Sequence, residues 1–408
     1  MSLLQRIQQL QFTQKAEAER LLLDFINGVF PLQVVACELR PQVISLNSFN
    51  GFITLADGER KFFKTHTEQD NVIDEYYNAG LLADAGYPVI QPIHSSTTAG
   101  QHLLIYDVIE SPSVFDVAWA IERGDDAESL PALTAAQNRA DDALWAIYQQ
   151  TIGEQSAADS ANAPIHQLFY HRLAGGRLKR FYGQQTTVKL IDAVYDLREV
   201  RSVRWSINGQ IYGETLNDII KRAINLLQPT RADVSIIGHG DAHNGNVFFA
   251  DGQSLLYFDP AFAGRHHPLL DIVKPIFHNV FAMWMYYPAE KRRTTPVRFS
   301  RGDDLWTVAY DYNLHPVRRM FLQSKVERVL TPLVIELARR GQLRSDWRAY
   351  FKAALFCCPF LTLNLADADR FPPEISLLGL AMAVEMGGES DTARSAIDTI
   401  LDNVERSL

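Results

Sequence analysis

The sequence predicts an α+β protein, with a small antiparallel sheet in its front third and a larger, mainly helical region behind it. Three observations carry that prediction. Short runs of β-branched and aromatic residues gather between residues 33 and 109, with a hairpin signal at Asp57-Gly58. Apolar residues at helical spacing dominate after Ser111-Pro112. Two further hairpin signals, Asn208-Gly209 and Asp251-Gly252, interrupt that helical texture. At 408 residues the chain exceeds one simple core, so two or three lobes are expected.

Taken in order, Leu, Ile and Phe at helical spacing over residues 4–29 predict one amphipathic helix, stopped by Pro31. Three strands follow in "QVISLNS" (42–48), "GFITL" (51–55) and "KFFKTH" (61–66). A helix over 68–85 ends at Gly86-Tyr87-Pro88, and two more strands are expected near 88–93 and 102–109. This divides the chain into a helical extension (1–35), a sheet lobe (36–110) and a helical lobe (111–408). Within the last, a long helix is expected at 128–152, a flexible polar loop at "GEQSAADSANAP" (153–164), a hairpin at 203–212 and a helix at 214–228. Beyond Asp271 the pattern reads as helix to the end.

Composition excludes several classes. The chain is 47% hydrophobic and 21% charged, an ordinary globular balance. A net charge of −9 argues against nucleic acid or an anionic membrane as the main partner. Cys37, Cys357 and Cys358 make no disulfide framework and fit a reducing compartment, the adjacent pair reading as core. The first 30 residues carry charges throughout and no small-residue cleavage site. No apolar run approaches the roughly 18 residues of a membrane span. A soluble, cytoplasmic protein is expected, with no signal for its oligomeric state.

The chemistry concentrates in "IIGHGDAHNGNVFF", residues 236–249, where polar residues and glycines sit between strand-like flanks. If Asp251-Gly252 is a two-residue turn, Asn246 faces Tyr257 and Asp259 faces Asn244. Asp259 then returns beside Asn246, close to Asp241. Such oxygen ligands suit Mg²⁺, which takes few protein groups and keeps phosphates and water. The spacing His239-x-Asp241-x4-Asn246 also matches the kinase catalytic loop.

On these residues the chain resembles the aminoglycoside phosphotransferase and choline kinase-like family, relatives of protein kinases. "HGDAHNGNVFF" is similar to that family's catalytic loop, and Asp259, Gly264, Pro268 and Asp271 follow its downstream pattern. The resemblance implies a bilobal protein-kinase-like fold. It implies Asp241 as catalytic base, Asn246 and Asp259 as Mg²⁺ ligands, and Asp271, His239 and His243 as supports of the loop.

The kinase pattern also requires a lysine on the third strand and a helix glutamate to hold it. Lys64 shares a strand face with Phe62 and His66, with Lys61 as the competitor. Glu75 falls on the apolar stripe Val72, Tyr76, Ala79, Leu82 and Ala83, where an unpaired carboxylate would be costly, so it is the better partner for Lys64. By the same resemblance, the backbone from Asp107 to Ile109 holds the adenine. Ser48, Asn50 and the loop around Gly51 reach the phosphates. Phe62 departs from the small residue common there and leaves ATP against GTP open.

The function implied is Mg²⁺-dependent phosphorylation of a hydroxyl on a small molecule: an amino sugar, a choline-like amine, a sugar or an amino-acid type. Two rivals are a nucleotide-binding pseudokinase and a metal-dependent hydrolase using His239, Asp241 and His243. The aromatic run 277–287 reads as core or, in part, as the lining of a substrate pocket, and the basic, aromatic segment 169–183 as a solvated helix or a substrate contact.

Overall fold

In a computed structural model, which describes residues 2–41, 48–66, 75–98, 100–183 and 186–408, the chain forms two compact units. One comprises Met1–Asp84 with Val89–Ser111, the other Ala85–Pro88 with Pro112–Leu408.

The first unit is a sheet with helices α1 (Leu3–Leu10) and α2 (Lys15–Val29) on one face. Its strands are β1 (Val34–Leu39), β2 (Ser48–Leu55), β3 (Arg60–His66), β4 (His94–Ser96) and β5 (Leu103–Asp107), in the order β1-β2-β3-β5-β4 and antiparallel throughout. Helix α3 (Glu75–Asp84) follows β3. The single helix expected over 4–29 is broken. The Thr13 and Gln14 amides turn back onto the Leu10 carbonyl. The break lets Leu4 and Ile7 of α1 and Leu22, Phe25 and Ile26 of α2 enter one core with Phe49, Ile53, Phe63, Leu103 and Ile105.

Strand alternation divides the sheet. Ile53, Phe63 and Ile105 bury against the helices, while Phe52, Phe62 and Tyr106 form a cross-strand aromatic row on the other face. Asn50, Lys64 and Leu104 form the next row on that second face.

Several expectations change here. The strand expected at 42–48 lies outside the described residues except for Ser48, which begins β2, and so do residues 68–74 of the expected helix. The second and third expected strands hold, but Gly51 is in the middle of β2 rather than in a loop. A β-carbon there would sit 2.0 Å from the Glu38 carbonyl oxygen of β1, so this position has no room for one. The strand expected at 88–93 does not form. Pro88 and Pro92 lack the N–H a ladder needs, and pairing starts at His94.

The second unit is mainly helical. Its core includes the helices Trp347–Leu361 and Pro373–Gly387, buried on nearly every side, with Cys357 and Cys358 inside. The long helix is Leu130–Thr151, and Leu216–Leu227 is the helix expected before the polar stretch. The 153–164 segment is ordered rather than a loop. Gly153–Gln155 pairs with the strand Asp233–Gly238, and Ser156 caps the helix Ala157–Asn162 by accepting the Asp159 N–H. Asp233–Gly238 also pairs with Gly264–His266.

The Asn208-Gly209 hairpin forms as expected, with φ of 51° and 88° at its turn. The region after Asp271 is not all helix: Val297–Arg301 and Leu305–Tyr310 make an antiparallel pair. The latter also pairs in parallel with Arg204–Ile207. In "LWTVAY" the alternate residues Trp306, Val308 and Tyr310 are buried, a period-2 signal. Among the described residues no helix is long and apolar enough to cross a membrane.

Gly51→Ala tests the close approach in the first unit. The clash with a backbone carbonyl should destabilise the unit by about 2 kcal/mol or more, seen as a lower urea midpoint. An unchanged midpoint would contradict it.

Candidate active site

The strand Asp233–Gly238 delivers the polar stretch, and two glycines let the chain turn out of it. At Gly238 a β-carbon would meet the Asp271 carboxyl and the His266 ring, both at 2.6 Å. Gly240 has φ +79°, and a β-carbon there would lie 2.5 Å from the Phe262 carbonyl oxygen. Asp271 fills the space left open. Its Oδ1 accepts the Gly240 N–H and lies 3.0 Å from His266 Nε2, and its Oδ2 accepts the Tyr148 hydroxyl. Burial alone would push this carboxyl up. The hydrogen bond and charge of His266, then Tyr148 and the Gly240 N–H, reverse that and hold it at about 2.

His239 is fully buried. Its Nδ1 accepts the Asp241 N–H at 3.3 Å, so Nε2 carries the hydrogen and donates to the Phe258 carbonyl at 2.9 Å. With both nitrogens so committed, His239 does not converge with Asp241 and His243 on one metal, as the hydrolase reading would need. His243 caps the short turn Asn244–Asn246, its Nδ1 accepting the Gly245 N–H at 3.1 Å. The Asn244 N–H in turn donates to Asn279 Oδ1 at 2.8 Å.

This turn brings the three expected residues together. The Asn246 side-chain amide donates to the Asp241 carbonyl at 2.9 Å, a bond that commits its nitrogen and not its oxygen. The Asn246 carbonyl accepts the Phe258 N–H at 2.9 Å, so Asp259 is the next residue along. The hairpin pairs Val247 with Tyr257, not Asn246 with Tyr257, because three residues (251–253) form its loop. The loop end therefore shifts by one residue, and the chain still brings Asp259 back to the open end, one residue beyond the Phe258 that bonds to Asn246. Asp259 takes φ +57°, a left-handed conformation that Asp tolerates better than most residues. His243 lies in the field of both Asp241 and Asp259.

Lys274, His278 and Arg172 were not singled out by sequence. Lys274 Nζ lies 3.4 Å from Asp241 Oδ1. Its signal is a lone cation in the largely apolar run "LLDIVKPIFHNVF", with a histidine four residues on. His278 and Asn279 belong to a π-helical turn, Phe277–Phe281, inside the aromatic run, which is buried from Phe277 to Met285 and half-buried at Tyr286 and Tyr287. From the basic segment, Arg172 lies in the field of Asp241. His266 and His267 are structural, the second capping Leu269 N–H.

In the first unit, Lys64 is buried, 7% exposed, and pairs in register with Asn50. Lys61 instead pairs with Glu59 and Asp107 at 2.6 and 2.9 Å. Asp107 ends β5 with its carboxylate exposed to that pair, and Ile109 lies two residues further on. Phe62 stacks edge-on to Phe52 at 5.8 Å. Glu75 begins α3, but its side chain lies outside the described residues, as does that of Ser48.

No protein-family model and no curated protein matches the chain. Solved structures similar to it include an apo thermostable mutant of the aminoglycoside phosphotransferase APH(4)-Ia, at 12% identity and TM-score 0.48, covering 90% of this chain and 98% of that one. Another is spectinomycin phosphotransferase APH(9)-Ia with ADP and spectinomycin, at 14% identity and TM-score 0.39, covering 90% and 98%. A third is amicoumacin kinase hAmiN with AMP-PNP and Ca²⁺, at 14% identity and TM-score 0.43, covering 88% and 89%.

Asp271→Asn tests the anchor. The folded carboxyl, at about 2, lies below the ordinary aspartate value, so it stabilises the fold above the unfolded value. That stability is lost as pH falls from about 4 towards 2, and amounts to about 2 kcal/mol at neutral pH. The variant should unfold earlier in urea at pH 7, with the gap closing at pH 2–3. A gap independent of pH would refute it.

Proposed function

We propose that the chain is an ATP- and Mg²⁺-dependent phosphotransferase acting on a hydroxyl of a small molecule, of amino-sugar, choline-like, sugar or amino-acid type. The observation that carries this is the gathering of Asp241, Asn246 and Asp259 on one loop end, braced from beneath by Asp271.

The donor set fits the cation. Asn246 commits its amide nitrogen inward and keeps its oxygen, and Asp259 holds a strained backbone conformation of the kind kept at functional sites. Mg²⁺ held by Asn246 and Asp259 would neutralise phosphate charge. On this reading Lys64, held by Glu75, orients the α- and β-phosphates. The backbone of Asp107 to Ile109 meets the adenine, and Ser48 and Asn50 assist the phosphates. ATP is the expected donor, with GTP the alternative that Phe62 leaves open.

Asp241 performs the proton step. The acceptor hydroxyl donates to its carboxylate, and its oxygen forms the new bond to the γ-phosphorus as the bond to the β-phosphate oxygen breaks. The proton passes to Asp241 and ADP leaves. Little covalent work falls to the protein, and positioning supplies most of the rate.

The test is an ATP-consumption screen over hydroxyl-bearing amines, sugars, nucleosides and amino acids. Asp241→Asn should lower turnover by about 10²–10⁴-fold while nucleotide affinity is kept. Nucleotide binding without consumption across the panel would favour the pseudokinase instead.

Asp259→Asn offers a second test. It keeps the backbone preference and removes the charge, so the Mg²⁺ dependence of nucleotide binding should disappear with the thermal midpoint nearly unchanged. Retained Mg²⁺ dependence would remove Asp259 from the ligand set.

A further inference from the structure

Lys274 is a cation that the phosphotransfer reading leaves without a task. It is 3% exposed, in an apolar helical segment, and a charge so placed is costly unless paired. One neighbour is Asp241 Oδ1 at 3.4 Å. The other is His278 Nε2 at 3.1 Å, whose Nδ1 lies 2.7 Å from the Tyr286 hydroxyl.

The chemistry of the chain fixes its direction. An ammonium has only hydrogens to offer, so His278 accepts at Nε2, carries its own hydrogen on Nδ1 and donates that to Tyr286. Burial, then the Lys274 charge, push His278 well below its ordinary pKa, so the ring stays neutral. The line Tyr286–His278–Lys274 is therefore a brace that ends on Asp241.

His243 Nε2 also lies 3.9 Å from the same Oδ1. Among the described residues Oδ1 is buried and receives no hydrogen bond, so the Lys274 interaction is one of charge rather than directed bonding. Oδ1 is thus enclosed, and Oδ2 is the oxygen that remains to meet an acceptor.

We propose that Lys274 is a positioning residue for Asp241: its charge, held by His278 and Tyr286, captures Oδ1 and turns Oδ2 towards the acceptor hydroxyl. This rests on the phosphotransfer reading above. Lys274 itself touches neither nucleotide nor acceptor in this role.

A double-mutant cycle tests it, with ATP as donor and water as acceptor. Lys274→Met should lower kcat by roughly 100-fold or more, as loss of a charged group next to the reacting centre does. KM for ATP should stay within about threefold, since no nucleotide contact is lost. In an Asp241→Asn background the same substitution should cost nothing further. A wild-type kcat for Lys274→Met, or an equal loss in both backgrounds, would overturn the assignment.

Should Lys274→Met not fold, Lys274→Gln keeps a polar atom against His278 and replaces it in the cycle. The pairing is also readable without any lysine variant. The Lys274 Nζ resonance should move on Asp241→Asn, and an unmoved resonance counts against the pair. Wild type that consumes ATP with neither water nor any acceptor of the panel fails the phosphotransfer reading itself, whereas wild-type turnover with Lys274→Met unimpaired fails this inference alone.

Discussion

A carboxylate taken out of water must have its lone pairs filled or give up its charge, and Asp271 is where this chain meets that demand. Its partners come from three places: Tyr148 from the helix Leu130–Thr151, His266 from the strand Gly264–His266, and the Gly240 amide from the polar stretch. The loop has little conformational preference of its own, with glycine at 238, 240 and 245. Its shape is imposed from beneath by the need to satisfy one buried charge. Everything proposed for Asp241, Asn246 and Asp259 depends on that constraint.

The same logic separates what the sequence reveals from what it conceals. The polar stretch was legible because its residue types at that spacing have few structural uses. The hairpin turn was legible because Asp251-Gly252 suits positive φ, but its register slipped by one, since Gln253 adds a third loop residue that no local signal marks. The break between α1 and α2 was concealed because apolar spacing continues across it, and the cause is the shared core below. Pairing at long range was concealed most. Nothing around Asp271 names Tyr148, 123 residues upstream, as its partner. Lys274 left a weaker trace, a lone cation in an apolar run.

In the first unit, strand alternation alone sorts two jobs onto two faces. Residues Ile53, Phe63 and Ile105 point to the helices and supply cohesion. Residues one step along, Phe52, Phe62, Asn50 and Lys64, form the rows on the other face. A slip of one position in β3 would exchange Phe63 for Lys64 in the core, so the register that buries the phenylalanine is also the one that presents the lysine.

The parallel partnership of Arg204–Ile207 with Leu305–Tyr310 bears on how the polypeptide is made. The upstream strand emerges from the ribosome about 100 residues before its neighbour, a wait on the order of ten seconds at ordinary translation rates. Throughout that interval the short Gln210–Ile211 turn-back covers one flank only, and the other flank is an open edge that foreign strands could extend. Closing so long a span also makes this seam a late step in acquiring the native topology. Nascent chains stalled before residue 305 would thus carry an aggregation hazard that the finished fold removes.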